Sequence, residues 1–170
     1  PPPPPEAARR EAHKHAMRTA LREAGVPVPG LSRCRLDQDP ERAARAARYP
    51  CVLKPLAMSA SRGVIRADDP AAFAAAWRRI ERILEGARAD RRPRARGAGR
   101  RILVESFVPG PEVALEGLLR GGELEVLALF DKPDPLDGPF FEETLYVTPS
   151  RHPRRLQSEA VAVAAAAARA

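Results

Sequence analysis

The segment covering residues 49–64, YPCVLKPLAMSASRGV, constrains the fold of this chain more than any other stretch. It starts as a β-prone run with Lys54 near its end, and Pro55 then interrupts the regular strand ladder. Small and hydroxylated residues follow as far as Gly63. A strand that leads into such a loop lets the backbone approach phosphate oxygens, and a lysine supplies the compensating charge. The segment therefore predicts an anion-binding loop at the end of a strand.

A second apolar run, ILVESFVPGPE, covers residues 102–112 and places two carboxylates at a strand end. Glu105 ends the run, and Glu112 lies seven residues further on, after a Pro-Gly-Pro turn. Carboxylates in these positions could accept hydrogen bonds from an amine and from a diol. Adenine and ribose carry those groups, so the two segments together indicate a nucleotide site.

In this order the residues resemble the ATP-grasp ligases: a lysine at a strand end before a small-residue loop, then Glu-x-x-x-x-Gly-x-Glu at a second strand end. The resemblance extends from His13 to Ser150. It points to carboxylate–amine ligases of the amino-acid ligase type, which are related to the ATP-binding domain of carbamoyl-phosphate synthase and to biotin carboxylase. It implies an α+β, ATP-grasp fold with a small lid subdomain and part of a mostly antiparallel second subdomain.

The resemblance assigns the basic and small residues to the phosphates of ATP. Three lysines would contact these phosphates: Lys14, Lys54 and Lys132. The loop would close over the β- and γ-phosphates through backbone N–H groups and hydroxyls, and its binding residues would be Ser59, Ser61, Arg62 and Gly63. Met58 and Ala60 stand where the family frequently has glycine, which implies a stiffer loop. The residues by themselves leave plainer alternatives open, such as a solvated Lys14 and an ion pair between Lys132 and Asp131.

The same resemblance assigns the acidic residues to the nucleoside. Glu105 would accept a hydrogen bond from the adenine amino group, and the backbone from Ser106 to Val108 would pair with the edge of the ring. Glu112 would accept from the ribose hydroxyls in charge-assisted hydrogen bonds. We therefore expect Lys54, Glu105 and Glu112 to line one crevice that is wide enough for a nucleotide.

The chemistry that the resemblance implies is transfer of the γ-phosphoryl group of ATP to a carboxylate, followed by attack of an amine on the acyl phosphate. The cofactors would be ATP and Mg²⁺, which neutralises the phosphates, and the partners would be small-molecule carboxylate and amine substrates. The family's metal ligands lie beyond the matching region, so no residue is assigned to a metal or to catalysis, including Glu142 and Glu143. We expect a truncated ligase that is inactive alone and binds ATP weakly at most.

The formal net charge of +7 and the pI near 10.4 raise nucleic acid as a possible partner. The arginines are spread over the chain, however, and the dense cluster from Arg91 to Arg101 has no interleaved aromatic residues. Such charge runs are usually solvated loops, so nucleic acid is not the expected partner. The competing hypothesis is a basic module that binds RNA or DNA through this loop, with binding that weakens steeply with salt and ignores ATP.

The cysteine content and the hydropathy pattern indicate a cytoplasmic protein. Cys34 and Cys51 are too few and too far apart in sequence for a zinc site or a disulfide framework, so reduced thiols are expected. His13 and His15 fall on different faces of a helix, which argues against a metal site. No apolar run is long enough to span a membrane, and the proline-rich start lacks a signal-peptide pattern.

The chain pattern predicts a Pro-rich disordered tail at 1–12, a leading helix at 13–26, a lid subdomain at 27–107 and an incomplete second subdomain at 108–170. Helices are predicted at 6–24 with a C-terminal cap at Gly25, at 39–48 with Asp39 or Gln38 as the N-cap and Pro40 in the first turn, and at 68–84 and 156–170. Strands are predicted at 31–35, 51–54, 64–66, 102–105 and 142–148, and a loop is predicted at 86–101. A hairpin is predicted at 113–119 and 124–130, with its turn at Arg120-Gly121-Gly122-Glu123. An apolar stripe predicts core rather than base stacking: Phe73, Trp77, Ile80 and Leu84. The absence of a regular βαβ repeat favours the α+β class.

Overall fold

A computed structural model describes residues 14–89, 100–141 and 145–170 of the chain. These residues belong to two compact units. The first unit contains residues 14–15, 29–89, 100–109 and 137–141, and the second contains 16–28, 110–136 and 145–170. Each unit has antiparallel strands, and helices accompany them. The α+β class expected from the sequence is therefore confirmed.

The first unit is built on a four-stranded antiparallel sheet with the strand order β1-β4-β2-β3. Its strands are β1 (Leu31–Arg35), β2 (Cys51–Pro55), β3 (Ile65–Ala67) and β4 (Arg101–Ser106). Two helices, α2 (Pro40–Ala46) and α3 (Pro70–Ala89), contact each other, and α3 also contacts β2 and β3. The four strands predicted at 31–35, 51–54, 64–66 and 102–105 are present, each within one or two residues of its expected bounds.

The core of this unit forms where α3 packs on one face of the sheet. The predicted stripe on α3 is buried as expected, with Phe73, Trp77 and Ile80 at 0% exposure. These side chains pack with Leu53 of β2 and Ile102 of β4, which are also fully buried. Burying a large apolar side chain contributes roughly 1.5–3 kcal/mol, so this face holds the unit together.

The ends of the two helices test the predictions made from local patterns. Asp39 caps α2 by accepting a hydrogen bond from the N–H of Glu41 at 3.0 Å, and Pro40 occupies the first turn, as predicted. The predicted end of α3 at Leu84 is wrong, because the helix continues through Gly86 to Ala89. An exposed helical glycine costs only about 1 kcal/mol, which the preceding apolar turns outweigh. Most of the Arg-rich loop, 90–99, lies outside the described residues.

In the second unit, α1 (Lys14–Glu23) ends at a glycine cap. Gly25 has φ +74°, and its N–H donates to the carbonyl of Arg22 at 3.0 Å. The N–H of Val26 donates to the carbonyl of Leu21 at 2.9 Å, which completes a Schellman motif. The predicted cap at Gly25 is confirmed, while the part of the predicted helix before residue 14 lies outside the described residues. The first two residues of α1 belong to the first unit.

The second unit also contains the predicted hairpin, formed by β5 (Glu112–Arg120) and β6 (Glu123–Lys132). Gly121 and Gly122 form its turn with φ +58° and +86°, the left-handed conformation that a two-residue hairpin turn requires. The final helix, α4 (Arg154–Arg169), contacts both strands.

A strand predicted at 142–148 is not present among the described residues of that range. Residues 142–144 lie outside the described part, and of the rest only Val147 forms a β-bridge, with Asp131. None of the helices in the described ranges is long and apolar enough to cross a membrane.

Candidate functional site

Two of the predicted site residues, Lys54 and Glu105, form an ion pair in the first unit. In the pairing of β2 with β4, Lys54 lies opposite Leu103, and Val52 lies opposite Glu105. Because side chains alternate along a strand, Lys54 and Glu105 share the sheet face opposite to the helix-packed core. Lys54 Nζ lies 2.5 Å from Glu105 Oε2, and the two side chains are 23% and 3% exposed. Sequence patterns indicated both residues but not their contact.

Lys14, also predicted, joins this pair electrostatically. Its ammonium donates a hydrogen bond to the carbonyl of Met58, at the start of the small-residue loop. Burial lowers the pKa of Lys14, the charge of Lys54 lowers it further, and the charge of Glu105 acts in the opposite direction. Two ammonium groups and one carboxylate are therefore close enough to influence one another, and the group carries a net positive charge.

The small-residue loop adopts a glycine-like backbone although it contains few glycines. Ala60 and Ser61 have φ +54° and +53°, and Gly63 has φ +75°. The N–H of Val64 donates to the carbonyl of Ser61 at 3.0 Å, which closes the turn. A left-handed conformation costs a non-glycine residue about 1–2 kcal/mol, so the loop is strained at two consecutive positions. The side chains expected to contact phosphates are exposed here: Ser59, Ser61 and Arg62.

Gly63 ends the loop against the strand that carries Lys54. A Cβ atom at Gly63 would lie 3.0 Å from Cγ of Pro55, closer than most real contacts, and its positive φ disfavours a side chain as well. The loop therefore returns to the strand at Pro55, the residue that follows Lys54.

The backbone after Glu105 is partly engaged within the unit. The N–H of Ser106 donates to the carbonyl of Gly30 at 2.8 Å, and the Ser106 hydroxyl accepts from the N–H of Gly30 at 2.9 Å. The N–H of Phe107 donates to the carbonyl of Pro50 at 3.1 Å. Val108, which was also predicted to face the adenine edge, is 67% exposed. The first residues of the predicted adenine segment are thus held by β1 and β2 neighbours.

Arg66 is a residue near this group that the sequence analysis did not identify. Its guanidinium lies 4.1 Å from the centroid of the Phe107 ring and donates to the carbonyl of Asp137 at 2.7 Å. In the pairing of β2 with β3, Arg66 lies opposite Val52, so it is on the sheet face that carries Lys54 and Glu105. Only the alternation along β3 could have indicated it, because its partners are distant in sequence.

The other two predicted charges, Glu112 and Lys132, pair with each other in the second unit. They lie opposite one another in the hairpin, and Lys132 Nζ is 2.5 Å from Glu112 Oε1. Lys132 is 8% exposed, and Glu112 is 51% exposed. Lys132 therefore pairs with a carboxylate across the hairpin, and the neighbouring Asp131 accepts a hydrogen bond from the N–H of Arg151. The predicted charges therefore form two groups, one in each unit.

A cavity in the first unit lies apart from these groups, and the described residues form no metal cluster. A cavity of about 500 Å³ in the first unit lies between β1 and α2 and contains no predicted site residue; its walls include Cys34, Arg42, Ala43, Ala47, Phe73 and Val104. Within the described ranges, no three His, Cys, Asp or Glu side chains are arranged to hold a metal ion. Glu142 and Glu143 lie outside those ranges.

The sequence of this chain matches a known domain family. The sequence profile of the ATP-grasp domain matches residues 47–170, which include the loop, the Lys54–Glu105 pair and the hairpin. The chain belongs to the ATP-grasp domain family. The family resemblance predicted from the sequence motifs is therefore confirmed.

Solved structures agree with the ATP-grasp assignment. The L-amino acid ligase of Bacillus licheniformis is 26% identical with a TM-score of 0.79, and the match covers 98% of this chain and 38% of that one. The biotin carboxylase domain of the Hydrogenobacter thermophilus 2-oxoglutarate carboxylase, solved with MgADP, ADP and bicarbonate, is 20% identical with a TM-score of 0.69, covering 96% of this chain and 35% of that one. D-alanyl-alanine synthetase A of Vibrio cholerae is 14% identical with a TM-score of 0.64, and the match covers 95% of this chain and 47% of that one.

These structures confirm the ATP-grasp fold, and this chain spans less than half the length of each of them. No curated protein sequence is significantly similar to it.

Proposed function

We propose that this chain is the ATP-binding portion of an ATP-grasp ligase, which activates a carboxylate as an acyl phosphate for attack by an amine. The observation that carries the proposal is the partly buried Lys54–Glu105 pair with Lys14 beside it, at the strand end where the small-residue loop begins. Two ammonium groups facing one carboxylate leave a net positive charge in a partly buried site. An anionic ligand would balance that charge, and the triphosphate of ATP is such a ligand.

Each predicted residue of the first unit has a role in this proposal. Lys54 and Lys14 contact the phosphates. Glu105 accepts a hydrogen bond from the adenine amino group, which competes with Lys54 for the carboxylate. Because the N–H groups of Ser106 and Phe107 already have acceptors, the adenine edge is met chiefly at Val108. The loop contacts the β- and γ-phosphates from the solvent side. Ser59, Ser61 and Arg62 do so through their side chains, and Gly63 does so through its backbone N–H.

In the second unit we assign Glu112 to the ribose hydroxyls and Lys132 to the phosphates. The proposal also includes the division of the chain into a lid subdomain at 27–107 and an incomplete second subdomain at 108–170. Support comes from lysine usage: the chain has three lysines among its 29 basic residues, and all three are in the proposed site. A compact ammonium suits contact with a single phosphate oxygen.

The reaction would proceed by transfer of the γ-phosphoryl group of ATP to a substrate carboxylate oxygen, with ADP leaving, and the amine would then displace phosphate from the acyl carbon. Mg²⁺, when bound with ATP, neutralises phosphate charge. The described residues offer no ligand set for this ion, so we assign it to none of them. We place the protein in the cytoplasm, where the free thiols of Cys34 and Cys51 stay reduced.

Titration of the 170-residue chain with ATP, followed by ¹H–¹⁵N NMR, tests the proposal. We expect weak but saturable binding that Lys54→Met weakens about tenfold, since a charge-assisted contact contributes about 1.5 kcal/mol. The matched control is Arg45→Met, which removes one exposed positive charge from α2. Equal effects of the two substitutions, or no saturable binding at all, would refute the proposal. Binding that ignores ATP and weakens steeply with salt would favour the nucleic-acid hypothesis.

A second experiment addresses the ligase chemistry itself. A longer chain that spans the full length of the relatives should hydrolyse ATP only when both a carboxylate and an amine are supplied. Lys54→Met in that chain should lower the rate, whereas Arg45→Met should not. ATP hydrolysis that is independent of both substrates would contradict a carboxylate–amine ligase.

A further inference from the structure

Residues 145–152, here called the strap, are fastened to the end of β6 by Asp131. The N–H of Asp131 donates to the carbonyl of Val147 at 2.9 Å, and the N–H of Val147 donates back to the carbonyl of Asp131 at 3.0 Å. The Asp131 carboxylate accepts from the N–H of Arg151 at 2.8 Å, so both the backbone and the side chain of one residue hold the strap. This residue immediately precedes Lys132.

Further contacts secure the later part of the strap. The side-chain hydrogen bond with Ser150 lowers the pKa of Asp131. His152 Nε2 lies 3.7 Å from Oδ1 of Asp131. The side-chain amide of Gln157, at the start of α4, donates to the carbonyls of Ser150 and His152 at 3.2 and 2.7 Å. The strap is therefore bound from two elements and presents a defined surface to β6.

That surface includes the ring of Tyr146. An antiparallel bridge between Asp131 and Val147 places Tyr146 opposite Lys132. Lys132 Nζ lies 5.2 Å from the centroid of the Tyr146 ring, and the same ring meets Phe130 edge to face at 6.2 Å. The ammonium of Lys132 thus has the Glu112 carboxylate at 2.5 Å and an aromatic ring within cation–π range.

These two neighbours act differently on a phosphate-binding lysine. A carboxylate neutralises the ammonium, and in the proposed function Glu112 turns to the ribose hydroxyls when ATP binds. A ring face attracts the cation without cancelling its charge, so it holds the flexible lysine stem while leaving the charge available to an anion.

We propose that Tyr146 is a positioning residue for Lys132, and that Asp131 sets Tyr146 in place through the strap. The inference rests on the proposed function, in which Lys132 contacts a phosphate of ATP. It adds a residue outside the lysine–glutamate set whose effect on ATP binding is exerted through Lys132.

Acetylation of lysines in the ligand-free 170-residue chain tests the contact without any nucleotide. Acetic anhydride labelling and mass spectrometry give the rate at Lys132, with Lys14 of the other unit as internal reference. Tyr146→Leu should raise the Lys132 rate about fivefold, and Asp131→Ala should raise it in the same direction. Tyr146→Phe, which keeps the ring, and Leu145→Ala, an exposed neighbour on the strap, should leave it within about twofold. An unchanged rate in Tyr146→Leu would overturn the inference.

Titrations with ATP and adenosine then test whether Tyr146 acts through Lys132. Tyr146→Leu should weaken ATP binding about fivefold and leave adenosine binding unchanged, and Tyr146→Phe should restore ATP binding. In a Lys132→Met background, Tyr146→Leu should have no further effect. Additive effects of the two substitutions, or equal loss of ATP and adenosine binding, would overturn the inference. Absence of ATP binding by the unmodified chain would refute the proposed function alone, because the acetylation result is independent of it.

Discussion

Lys54 Nζ lies 2.5 Å from Glu105 Oε2, so two residues that the family resemblance assigns to opposite ends of a nucleotide are paired with each other. The pairing explains how Glu105 is tolerated at 3% exposure, because an unpaired buried carboxylate costs several kcal/mol. A nucleotide that contacts both residues would have to replace this ion pair with its own phosphates and amino group. In the proposed function, the stability of the first unit and nucleotide binding are linked through this one pair of side chains.

Replacing Lys54 by methionine should destabilise the first unit by about 2 kcal/mol, because it leaves the Glu105 carboxylate without its nearest cation. The loss should stay below the full cost of a buried unpaired charge, since Lys14 also lies within electrostatic reach. Urea unfolding followed by the fluorescence of Trp77 measures this change in the free energy of unfolding, because the chain's single tryptophan is fully buried in the first unit.

The double variant Lys54→Met/Glu105→Gln supplies the control for that prediction. Once the carboxylate charge is removed, the missing ammonium matters less, so the double variant should be at least about 1 kcal/mol more stable than the sum of the single effects. Additive single effects would show that the 2.5 Å contact contributes nothing to stability.

Ala60→Gly should stabilise the first unit by about 0.5–1 kcal/mol, because glycine relieves a left-handed backbone that costs alanine about 1–2 kcal/mol, less the entropy that glycine loses on folding. Ala60 has φ +54° and an exposed side chain, so no packing is lost. Ala75→Gly on the exposed face of α3 should have the opposite sign, costing about 1 kcal/mol. Destabilisation by both substitutions in Trp77 fluorescence would contradict strain in the loop.

Cys51 should resist alkylation in the native protein. Burial raises the pKa of its thiol to about 11, with smaller contributions from Asp68 and Cys34, and the side chain is 1% exposed. At pH 8 roughly one thiol in a thousand is then ionised, and the thiolate is the reactive form. Iodoacetamide labelling at pH 8 should therefore modify Cys34 first and Cys51 only in urea, as read by peptide mass spectrometry. Equal native rates at the two cysteines would contradict this arrangement.

Features that depend on neighbouring residues in sequence were predictable from the sequence. The apolar stripe containing Trp77, the Asp39 cap, the Gly25 cap and the Gly-Gly hairpin turn each rest on a few adjacent positions, and each is present. The end of α3 was not predictable in this way. Gly86 disfavours a helix by local preference, and only the packing of the preceding turns lets the helix continue past it.

Contacts that depend on strand register could not be predicted from sequence patterns. The motifs located Lys54 and Glu105, but their pairing follows from how β2 aligns with β4, which no local pattern specifies. Arg66 was missed for the same reason, since it meets Phe107 only after β3 joins the edge of the sheet. Asp131 was considered only as a partner for its sequence neighbour, whereas the fold brings it to the strap.

The hold of Asp131 on the strap should weaken in acid. Its pKa is lowered by the hydrogen bond with Ser150, then by the N–H of Arg151, with further contributions from the charges of His152 and Arg151. A carboxyl group whose pKa is lower in the folded state contributes stability that is fully present above its ordinary pKa of 3.8 and is lost as the pH falls through the lowered value. Amide exchange of Arg151 and Val147, measured by NMR between pH 6 and pH 2.5, should therefore show protection that is constant down to about pH 4 and then declines. Asp131→Asn keeps the shape of the side chain without the charge, so its protection should be lower at pH 6 and should not decline with acid. A parallel decline in both proteins would mean that another group, and not Asp131, makes the strap sensitive to pH.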